Sequence, residues 1–210
     1  MRLLSILLTT LGLALALPGL ASAAEVGAVP DITWGASRAD IDRTIALMRE
    51  ANVRTVRLHM SWKGLEPGAK GAWNTGWLAD LDYAVAESRK AGLHVVMGLF
   101  GPVPYWASAD PDKYTDGSGK HWKEYYRPTR NEDFADYARF VVDRYRDQGV
   151  HDFEVWNEPN HAVFWPSGPN AAEYTALLKA AHPAIKQADP QARVVLGGLS
   201  RNDYDFLGKL

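Results

Sequence analysis

The sequence predicts an α/β fold built on a parallel sheet. Three observations predict it. Compact, β-branched apolar runs at residues 53–59, 93–99, 150–156 and 193–197 alternate with stretches of helical period. Their spacing of about 40 to 60 residues leaves room for a helix in every crossover, the signature of right-handed βαβ units. The polar and aromatic clusters follow the C-terminal end of each run, where a (β/α)8 (TIM) barrel builds its active site. The competing open, doubly wound sheet normally carries a glycine-rich phosphate turn after its first strand. Neither G-x-G-x-x-G nor G-x-x-x-x-G-K-[ST] occurs, so the barrel is favoured.

The elements follow in order. Met1-Arg2, an apolar run over 3–17 and the small-residue exit Ala21-Ser22-Ala23 read as a secretory signal peptide over 1–24, which implies a secreted or periplasmic protein. An uncleaved anchor is the alternative, but an apolar core of roughly 15 residues is short for a span of about 20. Residues 25–210 then form the domain. Residues 31–35 are a first strand or its exit; Ser37 is a helix N-cap, and Ile41, Ile45 and Met48 carry the helix period. After strand 53–59 comes a loop over 61–76, a helix over 77–91 stopped by Gly92, and the apolar strand 93–99. The polar, proline-bearing segment 101–130 is far longer than an ordinary connection, which marks it as functional. Phe134, Tyr137, Val141 and Tyr145 give a helix ended by Gly149. Tyr174, Leu177, Ala181 and Ile185 give another, closed at Asp189-Pro190, before a further buried strand at 193–197.

Composition excludes several functions. The 210 residues carry a formal net charge of −2 and show no basic patch, so no nucleic-acid partner is expected. With no cysteine there are no disulfide staples, and stability must come from an ordinary core. Asp110, Asp112 and Asp116-Gly117 superficially suggest calcium, but the spacing fails the EF-hand pattern and no H-E-x-x-H occurs. Neither a metal nor a cofactor is expected, and no membrane contact after leader cleavage. Nothing in the sequence sets the oligomeric state.

The chemistry concentrates in Phe153-Glu154-Val155-Trp156-Asn157-Glu158-Pro159-Asn160. A buried strand ends in Asn-Glu-Pro, which presents Glu158 at the barrel mouth, and Pro159 lacks the backbone donor that would prolong the strand. Strand alternation puts Glu154, Trp156 and Glu158 on one face, with the indole partly desolvating a carboxyl as a general acid requires. The plain alternative is an ordinary strand-end glutamate in a turn.

With VRLHMSWKGLEP at 56–67, GPVPYWA at 101–107, DFADYARFVVDRY at 133–145, FEVWNEPN at 153–160 and VVLGGLS at 194–200, the chain resembles the glycoside hydrolases of clan A, most of all family 39 and its bacterial cellulase-like relatives. The resemblance implies a carbohydrate substrate and a retaining mechanism. It assigns Glu158 as acid/base and Asn157 as the contact to the sugar 2-hydroxyl. Arg57 matches the arginine that keeps the nucleophilic carboxylate ionised; an interior ion pair with Glu154 is the other reading, and both can hold together. Trp62, Trp106 and Trp165 each follow a strand and either stack on a pyranose or pack loops onto the barrel. His59 contacts substrate or is structural. Glu66 reads as a loop residue.

The sequence departs from the clan in one respect. The nucleophile belongs at the end of the seventh strand, and five strands are legible here, so the chain reads as a barrel truncated after about five strands, with the nucleophile beyond Leu210. Such a chain alone is expected not to turn over. A non-catalytic exported carbohydrate-binding protein or a half-barrel remains the alternative.

Overall fold

The computed structural model describes residues 25–110 and 125–210. The leader expected over 1–24, Asp112 and Asp116-Gly117 lie outside the described residues.

Five parallel strands form one sheet in the order β1-β2-β3-β4-β5: β1 (Gly27–Ala28), β2 (Thr55–Ser61), β3 (His94–Phe100), β4 (Asp152–Val155) and β5 (Arg193–Leu196). Each strand pairs with the next in sequence, the order of a barrel wall rather than of a doubly wound sheet. The first strand is Gly27–Ala28, and residues 31–35 are its exit.

The crossovers are α1 (Arg38–Glu50), the one-turn α2 (Trp62–Leu65) with α3 (Thr75–Lys90), α4 (Asn131–Tyr145) and α5 (Ala171–Ala188), followed by the short α6 (Tyr204–Leu207). Ser37 caps α1 by accepting from the Asp40 N–H, and Ile41, Ile45 and Met48 are its buried face. Asn74 caps α3. Gly92 and Gly149, at φ of 78° and 77°, turn the chain out of α3 and of the 3₁₀ turn after α4.

Register decides what the sheet does. Leu58 pairs with Met97 and Met97 with Phe153, all fully buried under the helices. One residue on, His59 pairs with Gly98 and Gly98 with Glu154, and these face the other side. The helix-facing side is thus an apolar core and the inner side carries the polar residues.

The strand at 193–197 was expected to be buried. In the structure β5 is largely exposed, with Val195 at 39% and Leu196 at 43%, because it is hydrogen-bonded to β4 alone and lies at the sheet edge. No helix among the described residues is long and apolar enough to cross a membrane.

Candidate active site

β4 ends at Val155, and the next residues leave the strand abruptly. Trp156 has φ 72° and Glu158 φ 42°, left-handed values that cost a non-glycine residue about 1 to 3 kcal/mol and persist only where the surroundings over-determine them. Here they do. The Trp156 N–H bonds Leu99 O at 2.7 Å and the Glu158 N–H bonds Gly198 O at 3.0 Å, tying the turn to β3 on one side and to the exit of β5 on the other. Asn160 completes the clamp, donating to Ser200 O and accepting from the Ser200 N–H, both at 2.9 Å.

The turn corrects one expectation. Glu154 and Trp156 do not share a face, because the left-handed backbone at Trp156 breaks the period of two. Its indole is fully buried on the helix side, within 5.9 Å of Phe134 and 5.4 Å of Trp165, and donates to Phe164 O at 2.9 Å. Trp156 anchors the turn from behind, and Glu158 is left half-buried at the strand end.

Arg57 organises the inner face. Its Nε–H donates to Glu154 Oε2, Nη1 lies 2.6 Å from His59 Nε2, and Nη2 donates to Asn157 Oδ1 at 3.1 Å. Glu154 is 6% exposed and also accepts the Gly198 N–H at 2.8 Å, so its buried charge is fully engaged. Gly98 makes the room: a Cβ there would lie 3.4 Å from Arg57 Nη2 and 3.5 Å from His59 Cδ2. Burial, and then the charge of Arg57, push the His59 imidazole down to about 4. A neutral ring accepts from arginine at Nε2, which puts its proton on Nδ1. Arginine has no acceptor, so the Asn157 oxygen must be the atom that faces it. The Asn157 amide N–H groups are thereby turned away from Arg57, on the residue that precedes Glu158.

Trp62 and Trp165 require a second correction. Trp62 and Trp165 are at most 1% exposed and present no face to a sugar. Trp62 stacks on Tyr137 at 5.4 Å and spends its N–H on Glu66 Oε2 at 2.7 Å; Trp165 donates to Glu173 Oε2 at 3.0 Å. Trp106 is partly buried, with its N–H on Glu66 O at 3.0 Å. Trp62 and Trp165 pack inside the structure, each with its indole N–H satisfied by a carboxylate. Glu66 is the peg of this layer: buried, and accepting also from the Gly71 N–H, it has its carboxyl pushed up by burial. Among the described residues no group of three or more His, Cys, Asp or Glu side chains could hold a metal.

Residues 17–205 match the family model "Cellulase (glycosyl hydrolase family 5)". The chain belongs to that family. The clan A resemblance of its motifs is borne out, and so is the barrel architecture. No curated protein matches the chain. A family 39 glycoside hydrolase from the gut symbiont Bacteroides cellulosilyticus WH2 is similar over 83% of this chain and 31% of its own, at 23% identity and TM-score 0.60. Exo-beta-1,4-mannosidase Op5Man5 from Opitutaceae bacterium strain TAV5 is similar over 83% and 32%, at 19% identity and TM-score 0.60. Endo-glycoceramidase II from Rhodococcus sp. is similar over 85% and 48%, at 19% identity and TM-score 0.59. At these identities the likeness is one of fold, and the chain spans a third to a half of the length of these enzymes.

In this glycosyl hydrolase family 5 chain, then, His59, Glu154 and Asn157 converge on Arg57, and Glu158 follows Asn157 in the chain. Trp62 and Trp165 are sealed in the core. The part played by Tyr174 is not legible from its place in the helix period. Its hydroxyl donates to Val155 O and accepts the Gly197 N–H, both at 2.8 Å, locking the C-terminal ends of β4 and β5 together.

Proposed function

We propose that the protein hydrolyses O-glycosidic bonds of oligo- or polysaccharides by a retaining mechanism with Glu158 as acid/base, within an exported enzyme whose nucleophilic carboxylate lies outside these 210 residues. Family membership supports glycoside chemistry, and the composition of residues 1–24 supports export. The observation that supports the assignment of Glu158 is the Arg57 to Asn157 bond, which orients the side chain of the residue preceding a half-buried strand-end carboxyl.

In the first step the Glu158 proton passes to the glycosidic oxygen as its bond to the anomeric carbon breaks, and the nucleophilic carboxylate bonds to that carbon. In the second, water attacks the anomeric carbon, releases the carboxylate and gives its proton to Glu158. Asn157 donates to the sugar 2-hydroxyl, a contact that strengthens as charge develops on the ring. Arg57 holds Asn157 in the donating orientation and brings fixed positive charge to the site where a second carboxylate must stay ionised.

Proton NMR of the first-formed product of the complete gene product tests this. Release of the retained anomer, with a rate falling about 100-fold or more in Glu158→Gln, is expected. Initial release of the inverted anomer contradicts the mechanism.

A further inference from the structure

Glu154 is the buried carboxylate of the inner face, and the reaction proposed above gives it no part. It lies on β4, in register with Gly98 of β3 and Val195 of β5, and is 6% exposed. Arg57 stands on β2, two strands away, and reaches it over Gly98, which has no side chain to block the path. The guanidinium Nε–H donates to Glu154 Oε2, and Glu154 Oε1 accepts the Gly198 N–H at 2.8 Å.

That division of the two oxygens is informative. A carboxylate that served only to neutralise an arginine would offer both oxygens to the planar fork. Glu154 gives one of them to a backbone N–H at the exit of β5 instead. Gly197 and Gly198 follow the last residue of that strand; the Gly197 N–H goes to the Tyr174 hydroxyl at 2.8 Å and the Gly198 N–H to Glu154. Tyr174, on α5, holds this exit from the helix side, and Glu154 holds it from the inner side.

Gly198 passes the constraint on. Its carbonyl accepts the Glu158 N–H at 3.0 Å, so the residue held by Glu154 holds in turn the backbone of Glu158. Glu158 sits at a left-handed φ of 42°, a conformation that persists only with such outside support. On the other branch Arg57, fixed through Nε by Glu154, orients Asn157 through Nη2 at 3.1 Å. One buried side chain thus stands behind both residues of the Asn-Glu pair.

We infer that Glu154 is a positioning residue for the reaction: through Gly198 it sets the backbone of Glu158, and through Arg57 it sets the side chain of Asn157. The inference rests on the reading of Glu158 as acid/base and adds to it the group that holds that carboxyl in place. A carboxylate is required because two acceptors are. An amide at this position has a single oxygen, and its NH2 would face either the Arg57 Nε–H or the Gly198 N–H, donor against donor.

Glu154→Gln, close in shape and without the charge, tests this with two readouts. Amide hydrogen exchange of the full chain, followed by NMR, should show the Glu158 N–H exchanging about tenfold faster than in wild type relative to the amides of α4, which report the stability of the whole domain. In the complete enzyme, the rate on a glycoside with a poor leaving group should fall about tenfold more than the rate on a dinitrophenyl glycoside, because only the former needs the proton that Glu158 delivers. If Glu154→Gln does not fold, Glu154→Asp, which keeps the charge opposite Arg57 but is too short to meet Gly198 as well, takes its place with the same expectations. Glu158 exchange that is unchanged or rises only in step with α4, or an equal loss across leaving groups, overturns the inference and leaves Glu154 a partner of Arg57 alone. The exchange readout needs no turnover, so a complete enzyme that hydrolyses no glycoside contradicts the reading of Glu158 and not the positioning, and the two failures are separate results.

Discussion

Arg57 and Asn157, 100 residues apart in the chain, meet through a hydrogen bond of 3.1 Å from Nη2 to Oδ1, while the same guanidinium engages Glu154 and His59. Three partners at three different nitrogens require a planar fork. A lysine ammonium supplies one charge at one point and cannot hold all three.

Arg57→Lys is therefore expected to lower kcat/KM of the complete enzyme about 100-fold, the cost of a misplaced catalytic neighbour, with a much smaller change in KM for a short substrate. Steady-state kinetics on an aryl glycoside check this. Kinetics within a few-fold of wild type would show that the Asn157 orientation does not depend on the fork.

His59 predicts a pH dependence. Its folded value, about 4, lies below the ordinary 6.5, so the folded protein resists protonating it. Above 6.5 neither state carries the proton and stability is unaffected. Between 6.5 and 4 the unfolded chain takes up a proton that the folded one does not, and stability falls with pH. Below 4 the loss is complete. Urea denaturation at pH 7 and pH 4.5 should show His59→Gln losing less stability over that interval than wild type. An equal loss in both proteins contradicts the burial of a neutral imidazole.

Glu66 is the acceptor for the Trp62 and Gly71 N–H groups, and its backbone carbonyl receives Trp106. Glu66→Ala strands two donors in a buried layer and should cost about 2 to 4 kcal/mol, measured by urea denaturation. Glu66→Gln retains an acceptor and should cost less. If Glu66→Ala is neutral, Glu66 does not peg the tryptophan layer.

Much of the wall of the fold is legible in the sequence because local rules decide it. Ser37 with Ile41, Ile45 and Met48 specifies α1, and the glycines at 92 and 149 end their helices for a backbone reason that any context preserves. The Arg57–Glu154 ion pair is also anticipated as one of two readings, and it forms. The tryptophans are not legible in this way. Their position after a strand places them near the rim, but the direction of each ring depends on an acceptor in the segment that follows, Glu66 for Trp62 and Glu173 for Trp165, and on the left-handed turn at Trp156. The burial of β5 is likewise set by its neighbours rather than by the apolarity of Val194, Val195 and Leu196.

Gly197 shows how closely the ends of β4 and β5 approach. A Cβ there would stand 2.9 Å from Val155 O and 3.0 Å from Trp156 O. Gly197→Ala should destabilise by about 1 to 3 kcal/mol and displace the turn that carries Glu158. Thermal denaturation together with activity checks both effects; an unchanged melting temperature contradicts the close approach.

The account stands on Glu158, and leaving-group dependence tests it most directly. In the complete enzyme, Glu158→Ala should slow natural substrates severely, while a dinitrophenyl glycoside, whose leaving group departs without protonation, still reacts in the first step. The second step then limits turnover, since no base remains to activate water. Added azide needs no base and should restore turnover, giving a glycosyl azide of retained configuration. A uniform loss across leaving groups, no rescue by azide and a lowered melting temperature would mean that Glu158 supports only the fold.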